Sequence, residues 1–183
     1  MARPEGAERR GRLRLLAIAA LFAAPVVLGG IAYWVRWAPG TAVNYGTLLA
    51  PSALEAEPLA ALRGRWVLVQ LDSGSCDEHC VRKLYLMRQV RRAQGEKMRR
   101  IERLWLVTDA TAPAPGLLAA YEGTRVVRAT RELIDAFPAD RAPTDHIYLV
   151  DPMGNLMMRF PRDPDPSRML KDLERLLRYS SFG

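Results

Sequence analysis

The stretch Arg65–Leu71 (RWVLVQL) is a nearly unbroken apolar run, and five residues beyond it stand the only two cysteines of the chain, in Cys76-Asp77-Glu78-His79-Cys80. A run of that length bounded by turn residues predicts a strand buried on both faces. Residues 77–93 then carry a helical pattern, opened by Asp77 and Glu78, which suit the positive end of a helix dipole, and closed ahead of Gly95. A second apolar run, Arg103–Val107 (RLWLV), follows. Strand, helix, strand in this order predicts a parallel pair with a helical crossover, and so an α/β domain.

The cysteines occupy the mouth of the first strand-to-helix turn. Backbone N–H groups there lower a thiol's pKa, and the thiolate is both the nucleophile and the metal ligand. Four residues of helix advance about 6 Å, within the roughly 4.4–6.8 Å Cα separation that a disulfide tolerates. The pair suits closing on itself or clamping one soft metal ion. A purely structural bridge is the blander alternative, but closing so short a loop removes little entropy from the unfolded chain.

The rest of the domain alternates in the same way. Leu117–Tyr121 reads as a short helix, Thr124–Ala129 as a short strand, and Thr130–Phe137 as a helix with Thr130 as its N-cap and Pro138 as its stop. Ile147–Val150 and Leu156–Phe160 flank Asp151-Pro152-Met153-Gly154-Asn155, a turn signal that makes them a hairpin. Residues 167–179 form an amphipathic helix with Met169, Leu170, Leu173, Leu176 and Leu177 on one side. The expected architecture is a central mixed sheet with helices on both faces.

Ahead of the domain, residues 15–35 (LLAIAALFAAPVVLGGIAYWV) carry no charge, and about twenty such residues cross a bilayer core. Arg9, Arg10, Arg12 and Arg14 precede the run and Arg36 alone follows it. That bias predicts a cytoplasmic N-terminus and a translocated C-terminal domain, with Trp34 and Trp37 at the far interface. A cleaved signal is the competing reading. It calls for a shorter apolar core and a small-residue cleavage site, and Tyr33-Trp34-Val35 is a poor one. Glu5 and Glu8 do not fit an acidic-poor transit peptide, which favours the bacterial inner (plasma) membrane with the domain in the periplasm. The expected boundaries are 1–14 cytoplasmic, 15–36 transmembrane, 37–58 linker and 59–183 domain.

More than half of the formal charge of +7 lies in residues 1–37, which hold six Arg against two Glu, so the charge is no sign of nucleic-acid binding. The basic residues from Arg82 to Arg103 are interleaved with apolar ones and read as a solvated helix face; a docking face for an acidic partner is the functional alternative. A Ser-His-Asp set, a P-loop and a GxGxxG loop are all absent from the sequence, which leaves hydrolase and nucleotide chemistry without residues.

Several stretches resemble the Sco/SenC family, membrane-anchored proteins of thioredoxin-like fold that act in cytochrome c oxidase assembly. They are Leu62-Arg63-Gly64-Arg65-Trp66-Val67-Leu68-Val69, the Cys76/Cys80 CxxxC motif, Asp145-His146, and Tyr148-Leu149-Val150-Asp151-Pro152-Met153-Gly154. The similarity covers roughly residues 60–178. It implies a thioredoxin-like fold and a copper site of Cys76, Cys80 and a distant histidine, here His146. It implies a partner, the copper-binding subunit of a respiratory oxidase, to which copper is delivered or whose thiols are reduced. If the protein is an enzyme, it is a thiol–disulfide oxidoreductase. Soft thiolates suit Cu(I), and an added imidazole admits Cu(II).

The chain departs from the family pattern twice. Val81 stands where the family usually has proline. The family's histidine lies eight residues ahead of the hairpin aspartate, where this chain has Pro143. His146 is three residues closer, an odd offset that on an uninterrupted strand turns it to the opposite face. Pro143 itself looks like the proline, often cis, that thioredoxins place beside their dithiol to shape the client-binding surface.

His79 has two readings, a solvated helix-start residue or a third ligand and cationic neighbour to the Cys76 thiolate. Met153, Met157 and Met158 read as packing before thioether ligands. Asp72 and Asp145 are weak candidates for moving protons during exchange.

Overall fold

A computed structural model describes residues 5–34 and 44–180, and the chain divides into two compact units after Val43. The first holds one helix, α1 (Glu5–Trp34), with Pro25 inside it. Its stretch Arg12–Ile31 has a mean hydropathy of 2.1, and none of it is buried. Twenty helical residues span about 30 Å, the thickness of a bilayer's hydrocarbon core. Trp37, the second of the expected interfacial tryptophans, lies outside the described residues, as does the part of the expected linker before residue 44.

The second unit is built from β1 (Thr47–Ala53), α2 (Glu57–Ala60), β2 (Trp66–Asp72), α3 (Glu78–Ala93), β3 (Ile101–Val107), α4 (Pro115–Ala120), β4 (Thr124–Arg128), α5 (Arg131–Asp135), β5 (Ile147–Val150), β6 (Asn155–Arg159) and α6 (Pro166–Tyr179). One six-stranded sheet runs β1-β6-β5-β2-β3-β4. β2, β3 and β4 are parallel, while β5 joins β2, β6 joins β5 and β1 joins β6 antiparallel. The sheet is mixed, as expected, because helical crossovers link the parallel strands and a short turn links β5 to β6.

β2 lies at the centre with every residue buried, which is why it reads as an apolar run without alternation. Its residues nonetheless divide between two layers. Trp66 and Leu68 face α3 and α6, joining Leu84, Met87, Val90, Met169, Leu173 and Leu177. Val67, Val69 and Leu71 face the other way, toward Leu59, Leu133 and Phe137. Each such side chain contributes about 1.5–3 kcal/mol on burial. Caps set the helix starts: Asp77 accepts from the Cys80 N–H, Thr130 from Leu133 and Asp165 from Arg168.

Two expectations are corrected. The tract 37–58 is not a plain linker, since residues 47–53 form strand β1 on the sheet's edge and Glu57 opens α2. β1 is mostly exposed, carries Pro51, and has an irregular register between Leu48 and Ser52. A strand paired on one side only tolerates a missing N–H, so it need not show apolar alternation. Its entry is held by the buried Asp172 carboxylate of α6, which accepts from the Tyr45 and Gly46 N–H groups, both at 2.8 Å. Gly46 has no room for a Cβ against the Met158 sulfur.

The basic tract 82–103 is also not wholly solvated. Lys83 is 1% exposed and Arg103 is 3% exposed. Burial, and then Arg91 nearby, pushes the Arg103 guanidinium down to about 10.

Candidate functional site

β2 ends at Asp72, and Ser73-Gly74-Ser75 turns the chain into the cysteine motif. Asp109, in the loop after β3, accepts from Ser73 Oγ at 2.5 Å, the Gly74 N–H at 3.0 Å and the Thr111 N–H at 3.1 Å. The Ser73 hydrogen bond, followed by that from Gly74, holds its carboxyl below the usual range. The two loops meet so closely that a Cβ on Gly74 would overlap the Thr111 carbonyl oxygen.

Out of this turn comes Cys76 with φ +46°, the one non-glycine residue among those described with positive φ. That conformation costs a non-glycine residue of order 1–2 kcal/mol. Left-handed backbone held by its surroundings recurs at functional sites. Here the Cys76 N–H bonds to the Ser73 carbonyl at 3.1 Å.

Cys76 and Cys80 are joined as a disulfide with their Cα atoms 5.1 Å apart. Their exposure is unequal: Cys76 is half-buried, Cys80 is 0% exposed. The Cys80 N–H donates to the Asp77 carboxylate at 2.9 Å, fixing the first turn of α3. Of the two bonded cysteines, only Cys76 keeps part of its surface exposed.

Two buried polar side chains stand next to the pair. Gln70, 0% exposed within β2, donates its amide Nε2–H to the Cys80 sulfur at 3.5 Å. Its Oε1 is buried without a partner. Lys83 lies one helical turn beyond Cys80. Its ammonium contacts the Asp72 carboxylate at 2.6 Å and the Leu71 carbonyl at 3.1 Å, and also donates to the Thr144 carbonyl. Burial raises the Asp72 pKa against the pull of Lys83, and lowers that of Lys83 against the pull of Asp72. Asp72 therefore enters the site as an ion-paired group at the strand end. The sequence singled out Asp72 but neither of these partners. For Gln70 a signal existed: it is the one polar side chain within the apolar run Trp66–Leu71.

The 3-10 turn Pro143–Asp145 carries the other expected residues. Through Thr144 it is tied to Lys83, so Pro143 does lie on the segment braced against α3 and the end of β2. The peptide before Pro143 is trans, in contrast to the cis form of the general thioredoxin pattern. Asp145 pairs with Arg162 at 3.1 Å.

His146 donates Nδ1–H to the Phe160 carbonyl at 2.8 Å, since a carbonyl only accepts, and its Nε2 is buried without a partner. The ring stands edge-on to Tyr148, 5.9 Å between centroids. Tyr148 belongs to the layer opposite the one that holds Cys80. Among the described residues His146 makes its hydrogen bond to Phe160 and its ring contact to Tyr148, and it is not grouped with the two cysteines. It lines a pocket of about 330 Å³ with Arg141, Asp145, Arg159 and Arg162.

His79 is half-buried, with Nε2 bonded to the Arg162 carbonyl at 3.1 Å. Met158 is buried in the core, Met157 packs against it and Met153 is exposed on the hairpin turn, which agrees with packing roles for the first two. Among the described residues no three of His, Cys, Asp and Glu are grouped to hold a metal ion. The chemistry gathered at the motif is that of two sulfurs.

The fold and site define a class, thioredoxin-like domains with a dithiol at the first strand-to-helix junction, here behind a helix long and apolar enough to span a membrane. Residues 66–180 match the family described as transmembrane-like, thioredoxin-like, C-terminal domain, and the chain belongs to that family.

Solved structures share the fold, and among them are the Sco proteins that the sequence resembles. Yeast Sco1 with copper bound is 14% identical at a TM-score of 0.56, covering 67% of this chain and 84% of its own. Apo Sco1 from Thermus thermophilus is 19% identical at 0.54, covering 73% and 97%. ScoI from Bradyrhizobium japonicum with copper bound is 19% identical at 0.51, covering 64% and 88%. No curated protein matches the chain.

Proposed function

We propose that this protein is a membrane-anchored thiol–disulfide exchange protein of the Sco type, working through Cys76 and Cys80 on a client outside the cytosol. The observation that carries this reading is the unequal pair: a half-buried Cys76 on strained backbone, bonded to a fully buried Cys80 at the start of α3. In the reduced protein the Cys76 thiolate attacks a client disulfide. One client sulfur leaves as thiolate and a mixed disulfide forms. The Cys80 thiolate then attacks the Cys76 sulfur, closes the intramolecular bond and releases the second client thiolate. A dithiol donor restores the reduced pair. α1 anchors the domain, with its Arg-rich end in the cytoplasm of a bacterial cell and the domain in the periplasm.

The client that the Sco resemblance points to is the copper-binding subunit of a respiratory oxidase, whose cysteines must be reduced before they bind metal. The full-length chain with Cys80→Ser, expressed in membranes, is expected to accumulate a mixed disulfide through Cys76. Absence of any trapped species from that variant, with wild-type protein at the same level, would refute exchange. Full function of a Cys76→Ser, Cys80→Ser double variant would leave a non-catalytic assembly scaffold.

Copper as cargo is the second reading. It is favoured by the closeness of the two sulfurs, which once reduced present two thiolates from one turn, a ligand set suited to Cu(I). Reduced protein is expected to bind one Cu(I) through both cysteines. His146→Ala is expected to leave that affinity unchanged, because the His146 ring packs against Tyr148 and its Nδ1–H is taken by the Phe160 carbonyl. A large loss of affinity in His146→Ala would restore the three-ligand site that the Sco resemblance implies.

A further inference from the structure

Gln70 occupies the middle of the central strand, between Val69 and Leu71, and is 0% exposed. A buried amide left partly unpaired costs about 1–3 kcal/mol, and a leucine of similar volume would fill the layer without that cost. The amide touches one reacting atom: its Nε2–H points at the Cys80 sulfur at 3.5 Å. Cys80 is itself fully enclosed, so a charge appearing on its sulfur meets no water.

We propose that Gln70 is a catalytic residue of the exchange reaction, its amide N–H serving as the fixed donor for the negative charge that Cys80 carries whenever the disulfide opens. The proposal rests on the exchange reading given above.

The balance of the step shows why a donor is needed there. An incoming thiolate bonds to the Cys76 sulfur, the Cys76–Cys80 bond breaks, and the electron pair stays on the Cys80 sulfur. A disulfide sulfur is a weak acceptor, whereas a thiolate carries a full charge, and charge-assisted hydrogen bonds are roughly twice as strong as neutral ones. The Gln70 contact therefore tightens as the charge develops, which is the condition for accelerating a step instead of merely binding its ground state.

An amide has no proton to give up, so Gln70 holds the charge without neutralising it. Its orphaned Oε1 has a place in the same cycle. Rotating the amide presents that oxygen to a Cys80 thiol, so one side chain serves both forms of the sulfur. The titratable groups around the motif, Asp72, Lys83, Asp77 and His79, keep their side chains when Gln70 is substituted.

The test uses metal-free full-length chain in detergent, with reduced and oxidised glutathione as the probe. Gln70→Leu removes donor and acceptor at nearly constant volume. Gln70→Met is a second replacement of similar length that offers neither donor nor strong acceptor. Both variants are expected to open the disulfide about tenfold more slowly than wild type, and to shift the equilibrium about tenfold toward the disulfide. Rates and constants within twofold of wild type in either folded variant overturn the role of Gln70 and leave exchange standing. A wild-type disulfide that neither glutathione nor dithiothreitol opens overturns the exchange reading and this inference with it.

Discussion

Around the C-terminal end of β2 two buried polar groups stand almost side by side, and they are satisfied to different degrees. Lys83 gives its donors to a carboxylate and two carbonyls, and ties α3 to both the end of β2 and the Pro143 turn. Gln70 gives one N–H to a sulfur and leaves its oxygen with nothing. The first arrangement resembles a rivet, since every strong interaction is already made and no reaction changes it. The second is incomplete in the disulfide form, and its N–H bond strengthens only when charge appears on Cys80. In this domain a fully paired buried group holds elements together, and a half-paired one beside a reactive atom does chemistry.

The comparison breaks most visibly at Lys83. Lys83→Met strands the Asp72 carboxylate in a buried position and is expected to cost about 3–5 kcal/mol, read from urea unfolding of the domain. A loss under 1 kcal/mol would mean that water already reaches the pair. On the cystine side, Gly74→Ala is expected to cost about 1–3 kcal/mol, because the new methyl group meets the Thr111 carbonyl. It should also raise the reactivity of the disulfide toward glutathione by loosening the turn that holds Cys76.

Removing both partners sharpens the contrast. An Asp72→Leu, Lys83→Met double variant is expected within about 1 kcal/mol of wild type at neutral pH, or above it, since paired buried charges repay little of their desolvation. Its pH profile carries a sign. Folded Asp72 titrates above its ordinary 3.8, so the wild-type advantage over the double variant falls as pH rises through and above that value. Folded Lys83 titrates below 10.5, so the advantage recovers as pH climbs toward that value. Stability curves of the two proteins measured across this range should diverge in the middle and approach at both ends.

The smallest change is expected at Gln70→Leu, within about 1 kcal/mol of wild-type stability, because losing the orphaned oxygen offsets losing the bond to sulfur. A large destabilisation there would make Gln70 a second rivet and erase the distinction.

Much of this architecture is legible in the amino-acid order. β2, β3 and β5 stand out because strands buried on both faces must be apolar throughout, and α3 and α6 because their caps and periodicity are local. The dithiol is legible for the same reason: Cys76 and Cys80 are four residues apart at a helix start whichever way the sheet is assembled. β1 is not legible, since an exposed edge strand with Pro51 obeys no burial pattern and is recruited by β6 and the distant Asp172. Lys83 is hidden among seven arginines between residues 82 and 103, and nothing local distinguishes it from its solvated neighbours.

What the sequence determined by itself was the set of short-range facts: an apolar span, a strand-dithiol-helix junction and a hairpin. What only the tertiary structure decided was which polar atoms are enclosed together. Gln70 lies ten residues from Cys80, Lys83 sixty-one from Thr144, and Asp172 more than a hundred from the backbone it caps. Hydrogen bonds across such separations are set by how layers stack, and the cost of enclosing a polar group exists only once the layers have closed over it.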